Sequence, residues 1–122
     1  MEARTKGEKF GALLRRLREQ SGKSMGSMAR YLGLTTPYLC DIELGRRAPL
    51  SSSHILKAAA FLGVDPQPLL LTAIESREAV EIRTPSTSTG RAAVAALLRR
   101  ADDLSDEQWE RIQATIDDER TK

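Results

Sequence analysis

Ser24 to Gly45 reads SMGSMARYLGLTTPYLCDIELG, two short helical patterns hinged at Gly33. Met28, Ala29 and Leu32 recur on one face at helical spacing, and Ala29 is small enough to let a second helix cross closely, so that face is core. Gly33 can take the positive φ of a tight inter-helix turn, with Leu34 as an apolar plug beneath it. Thr35 is suited to N-cap the next helix, and Pro37 falls at its first or second position, where a missing N–H costs nothing. Along that helix Leu39 and Ile42 form the inward pair, leaving Thr36, Pro37, Cys40, Asp41 and Leu44 on the outward side. Two helices joined in this way make a helix-turn-helix. The outward row of its second helix, residues 36–44, is the surface that would face the major groove of duplex DNA.

On the N-terminal side, Phe10, Leu13, Leu14 and Leu17 recur at i, i+3, i+4 and i+7 and give a first helix one apolar stripe. On the C-terminal side, Ser51, Ser52 or Ser53 can cap a fourth helix carrying Ile55, Ala58, Ala59 and Leu62, which Gly63 ends. Asp65-Pro66 then opens a fifth, with Leu69, Leu70, Ala73 and Ile74 as its stripe. No long alternating run bounded by turns suggests a strand, and aromatic residues make up only 4% of the chain, so the expected fold class is all-α. From Ile82 to Gly90 apolar periodicity lapses and the chain reads RTPSTSTG over residues 83–90, a linker composition. The expected organisation is a five-helix domain over residues 1–80, a linker over 81–91 and a C-terminal helical hairpin over 92–122.

Within that hairpin Leu104-Ser105-Asp106-Glu107-Gln108-Trp109 carries a full helix start: Ser105 with Gln108 is a capping box, and Leu104 with Trp109 is spaced as a hydrophobic staple. Two amphipathic helices of this length have too little shared core to offset their ordering entropy and need a partner surface. The chain's own first domain is one choice. A second copy of the same segment is the other, through Val94, Leu97 and Leu98 of the first helix and Leu104, Trp109, Ile112 and Ile116 of the second. Cyclic dimers are the commonest oligomers, and two recognition helices held about 34 Å apart read successive major-groove faces, so a homodimer is the expectation. An antirepressor, a toxin or RNA polymerase stays open as a protein partner for this tail.

Charge is nearly balanced overall, with 19 Lys and Arg against 17 Asp and Glu, but it is unevenly spread. Residues 1–72 hold 11 basic and 6 acidic side chains, whereas residues 73–122 hold 8 and 11. The basic half suits phosphate, with Arg30, Thr35, Arg46 and Arg47 as candidates around the reading helix and Arg4, Lys6 and Lys9 as a basic arm. Thr36, Pro37, Tyr38 and Asp41 would meet bases or groove walls.

Catalysis and cofactors have no support. His54 and Cys40 are single, so there is no zinc set, and neither glycine-rich phosphate motif occurs. Asp102-Asp103 and Asp117-Asp118-Glu119 are neighbours on a chain that do not converge on one ligand. His54 is expected at the surface in the first turn of the fourth helix. Cys40, on the outward side, is the one thiol whose oxidation would alter a DNA contact, although a lone Cys ordinarily serves as a small inert hydrophobe. One Cys permits no internal disulfide, MEARTKGEKF lacks the apolar core of a signal peptide, and no apolar run is long enough for a membrane span. A cytoplasmic location is expected.

Several markers in order make the chain resemble the Xre family, the lambda-repressor-like helix-turn-helix proteins that include phage Cro and repressor domains. They are LRRLREQSGKS (Leu14 to Ser24), Ala29, Gly33, YLCDIELGRRAP (Tyr38 to Pro49, through Leu39 and Arg47) and LGVDP (Leu62 to Pro66), spread over residues 8–72. The resemblance implies a scaffold ion pair between Arg18 and Glu43 that ties the first helix to the recognition helix. It also implies a sequence-specific DNA-binding transcriptional regulator, a repressor on a palindromic operator. This chain departs from the family at Met25, where a phosphate-binding Gln is usual and Met cannot donate. It departs again on the outward row, where Thr36, Pro37 and Asp41 stand in place of Gln, Arg or Asn, and at Leu44, a position commonly polar. Asp can accept from cytosine N4 and Thr or Pro can pack on a thymine methyl, but that row has no bidentate reader of guanine or adenine. The implied readout leans on phosphates and DNA shape. The same departures support an alternative, a protein-interaction module on a helix-turn-helix scaffold with weak DNA affinity, such as a partner-dependent regulator or an antitoxin-like protein.

Overall fold

Phe10, Leu13, Leu14 and Leu17 form the buried stripe of α1 (Phe10–Gln20) in a computed structural model that describes residues 7–77 and 79–118. Arg4, Lys6 and Glu119 lie outside the described residues. Next come α2 (Met25–Leu32), α3 (Thr36–Glu43), α4 (Ser52–Leu62) and α5 (Gln67–Glu75). A second set follows, α6 (Ser88–Arg100), a 3-10 turn over Ala101–Asp103, and α7 (Asp106–Asp117). Among the described residues every element is helical. The chain divides into two units, Met1–Ile82 and Arg83–Lys122.

In the first unit α1 to α5 surround one core in which Leu13, Leu14, Met28, Leu39, Ala58 and Leu69 have no exposed surface. Each large apolar side chain removed from water contributes roughly 1.5–3 kcal/mol, so this cluster is the main stabilising term. Helix ends are set by short-range chemistry. Ser24, Thr35 and Ser51 each accept a backbone N–H two or three residues into the helix that they cap. Gly63, at φ 71°, closes α4. Asp65 Oδ1 accepts from Gln67 N at 3.0 Å, so α5 starts two residues after the expected Asp65.

The buried face of α5 differs from the expected stripe. Leu69 and Ala73 are buried, but Thr72 joins them while Leu70 is partly covered and Ile74 is exposed. Thr72 can be buried because its hydroxyl bonds back to the Pro68 and Leu69 carbonyls at 3.1 and 3.0 Å. Ile74 instead borders an open hollow of about 340 Å³ with Leu71, Val80 and Ile82. Arg77, just past α5, donates to the Pro49 and Leu50 carbonyls and fastens the loop that follows α3.

Backbone meets backbone closely at Gly11, near the start of α1. A Cβ there would lie 2.3 Å from the Ile42 carbonyl oxygen and 2.6 Å from that of Glu43, both backbone atoms at the end of α3. No side-chain rotation relieves such a clash. Nothing local in the sequence marks this glycine.

In the second unit α6 begins at Ser88, four residues inside the stretch expected to be linker. The Ser and Thr content that reads as linker is partly cap chemistry: Thr87 Oγ1 accepts from Gly90 N at 3.0 Å, and Arg91 donates to the Pro85 and Ser86 carbonyls. Ser105 and Gln108 form the expected reciprocal capping box at 3.2 and 2.9 Å. No residue of α6 or α7 is buried.

Gly11→Ala is expected to cost more than about 3 kcal/mol, because overpacking against backbone exceeds the usual 1–3 kcal/mol. Gly26→Ala, in α2 with open space around the new methyl, is expected to stabilise by about 0.5–1 kcal/mol. Urea denaturation of the two variants, side by side, checks both signs.

Candidate nucleic-acid interface

The hinge between α2 and α3 is a left-handed glycine cap. Gly33 sits at φ 74°, its N–H reaches the Arg30 carbonyl at 3.2 Å, and Leu34 N reaches the Ala29 carbonyl at 2.9 Å. This pair of hydrogen bonds satisfies two of the last four carbonyls of α2 and turns the chain within two residues. Leu34 packs partly against the core below, as an apolar plug should. Thr35 then caps α3 by accepting from Tyr38 N at 3.2 Å, and its own hydroxyl hydrogen remains able to donate.

Along α3 the inward residues Leu39, Ile42 and Glu43 are buried, while Thr36, Pro37, Tyr38 and Leu44 are exposed and Asp41 is half-buried. Leu44, which ends the helix, is 47% exposed, a large apolar side chain in water beside the outer row of α3. Cys40, expected on the outward side, is not fully exposed there. It is half-buried and lines a hollow of about 170 Å³ with Arg15, Arg18, Met25, Glu43 and Leu44. Met25 packs partly against the core, so the residue standing where the family has a phosphate-binding Gln is an apolar packing group.

Arg18 and Glu43 form the expected pair, and it is bidentate. Nε to Oε2 is 2.8 Å and Nη2 to Oε1 is 3.0 Å, while Nη1 donates to the Lys23 carbonyl at 3.0 Å. The Glu43 side chain is only 2% exposed, so its charge depends on this fork. The hydrogen bonds to Glu43 hold Arg18 above its ordinary, already very high pKa, against the opposing effect of burial. Arg16 is raised in the same direction by the carboxylate of Glu8, which it grips at 2.9 and 3.0 Å.

A second cluster lies on the outward side, with no periodic signature in the sequence. Asp41 lies between two arginines from the loop after α3, with Oδ1 3.6 Å from Arg46 Nη1 and Oδ2 3.7 Å from Arg47 Nε. The Arg47 guanidinium also lies over the Tyr38 ring, 4.6 Å from its centroid. Arg30 is exposed. His54 is half-buried in the first turn of α4, where Nδ1 is 2.9 Å from the capping hydroxyl of Ser51, so it belongs to a helix start. Among the described residues no helix is long and apolar enough to cross a membrane.

A glycine-hinged helix pair whose second helix is locked inward by an ion pair and exposed along its outer row defines a helix-turn-helix protein of the lambda-repressor-like kind. Residues 9–71 match the helix-turn-helix domain family, and the chain belongs to it; its members are transcription regulators without enzymatic activity. The chain is 35% identical over 69 residues to the ImmF control region 10 kDa protein of Bacillus phage phi105, spanning 57% of this chain and 76% of that protein. Two solved structures are also similar. The master regulator for biofilm formation SinR, in complex with DNA, is 28% identical over 50% of this chain and 97% of its own, with a TM-score of 0.46. The restriction-modification controller protein C.AhdI from Aeromonas hydrophila is 38% identical over 49% of this chain and 89% of its own, with a TM-score of 0.45.

Removing one member of the Arg18–Glu43 fork leaves the other charge poorly solvated, so Arg18→Met is expected to destabilise by about 3 kcal/mol. The double variant Arg18→Met/Glu43→Leu is expected to regain most of that loss. A denaturation cycle over the four proteins measures it.

Proposed function

We propose that this helix-turn-helix regulator is a sequence-specific repressor that binds a palindromic operator in duplex DNA as a homodimer, acting in the cytoplasm at the nucleoid. The observation that carries the reading is the division of α3 into a buried inner row and an exposed outer row, with cations clustered at its C-terminal end. Thr36, Pro37, Tyr38 and Asp41 would face bases or groove walls, and Arg30, Arg46 and the Thr35 hydroxyl would meet phosphates on the rim. The relative's origin in a phage control region supports a regulatory role.

The homodimer is proposed through the second unit. Leu98 is 80% exposed, Ile116 72% and Trp109 38%, an apolar load that a second copy of the same helices would cover. Two helix-turn-helix units joined in this way could engage both halves of a palindrome, which a single short recognition helix cannot.

A second reading rests on Leu44, exposed beside α3, and on Met25, turned to packing: a partner-dependent or antitoxin-like regulator whose scaffold binds a protein more tightly than DNA. Selection from a random-duplex pool with the full-length protein separates the two. An enriched palindrome is the expected result, and failure to enrich any sequence favours the protein partner.

Two further outcomes are expected. Arg30→Ala and Arg46→Ala should each reduce the slope of log affinity against log salt by about one, measured between roughly 50 and 200 mM. Leu98→Glu and Ile116→Glu, both at wet positions, should leave helicity intact and convert the dimer to monomer by sedimentation. A dimer that persists in both variants rules out these helices as the interface.

A further inference from the structure

The outward positions of α3 offer no side chain able to grip a purine with two hydrogen bonds, yet a guanidinium lies on that surface. Arg47 belongs to the loop after the helix, but its side chain folds back over α3, with Cζ 4.6 Å from the centre of the Tyr38 ring and Nε 3.7 Å from Asp41 Oδ2. We propose that Arg47 is the guanine-reading residue of this protein, held over the recognition helix by Tyr38 and Asp41 as positioning residues. The proposal rests on the DNA-binding reading above. From sequence alone Arg47 is expected to meet a phosphate.

Three observations carry the assignment. Tyr38 lies in the first turn of α3, and the N-terminal part of a recognition helix is the part that reaches base edges, so a guanidinium seated on its ring is carried to the reading end. The separation from Asp41 is longer than a hydrogen bond, so the carboxylate restrains Arg47 by charge while the guanidinium N–H donors stay free for O6 and N7 of a guanine. Arg47 also differs from its neighbour. Arg46 is 70% exposed, shares Asp41 at 3.6 Å and has no ring beneath it, which suits a mobile phosphate contact, whereas Arg47 is 52% exposed and braced on two sides. Asp41 has a further effect, because a carboxylate on the reading face repels phosphate and disfavours docking where no base accepts the arginine.

The test uses the full-length protein and the site enriched from the random-duplex pool, together with every single base-pair substitution in that site. Affinities would be measured for wild type, Arg47→Ala, Arg46→Ala, Tyr38→Phe, Tyr38→Leu and Asp41→Asn at two salt concentrations, with circular dichroism confirming the fold. For wild type, replacing one G·C pair in each half-site is expected to cost about 10- to 100-fold. Arg47→Ala should erase that preference while leaving preferences at the other positions intact. Tyr38→Phe, which keeps the ring, should retain the preference, and Tyr38→Leu should weaken it. Asp41→Asn should weaken it while raising affinity for unrelated duplex. The proposal is overturned if Arg47→Ala weakens all sites equally and lowers the salt slope by about one, which marks a phosphate contact, or if it changes nothing. A wild-type protein that enriches no site at all defeats the DNA-binding reading itself, and is recognised because no variant is needed to see it.

Discussion

The end of α3 is clamped to α1 at two points seven residues apart on one face. At Gly11 the absence of a side chain lets the backbone carbonyls of Ile42 and Glu43 press against the first helix. Two turns later Arg18 grips the Glu43 carboxylate with both prongs of its guanidinium. The first contact fixes how close the helices approach, and the second fixes their rotation. Without the fork, Glu43 would be a charge almost fully withdrawn from water, so the pair is either complete or strongly unfavourable. The direction in which the outer row of α3 faces follows from this clamp.

Much of the fold can be read from periodicity and capping alone. The stripes of α1, α2 and α4, the inward pair Leu39 and Ile42, the glycine turns and the Ser105 capping box depend on residues within four positions of each other, which spacing reports directly. What escaped depends on distance in sequence or on side chains that serve two roles. Gly11 looks like an indifferent helical residue until the partner helix is placed over it, 31 residues on. The face of α5 turned because a Thr hydroxyl could be satisfied within its own helix, which hydropathy does not register. Ser88 to Arg91 read as linker because Ser, Thr and Gly serve equally in loops and in helix starts. At the interface, the Arg18–Glu43 pair was accessible only through family resemblance, since nothing local marks two residues 25 apart as partners. The seat of Arg47 on Tyr38 was not accessible at all, because a nine-residue reach back across a helix end has no periodic signature.

Counting basic residues also overstates what the first unit can present to a polyanion. Arg15, Arg16 and Arg18 are paired with Glu19, Glu8 and Glu43, and Lys23 lies over the Phe61 ring at 5.1 Å. Among the described residues Arg46 and Arg47 share Asp41, while Arg30 and Lys9 are exposed. The outer row of α3 is thus partly apolar, with Leu44 and Pro37 among its exposed residues.

The alternation of locked and unoccupied positions along α3 bears on how such a protein can change over generations. Leu39, Ile42 and Glu43 are held by the core and the ion pair, so replacements there are filtered by folding. Thr36, Pro37 and Leu44 carry no such obligation, and they can be exchanged without disturbing what holds the helix. Descendants of this sequence can therefore diverge along the outer row while inheriting an unaltered scaffold, with α3 serving as a fixed mount for a variable edge.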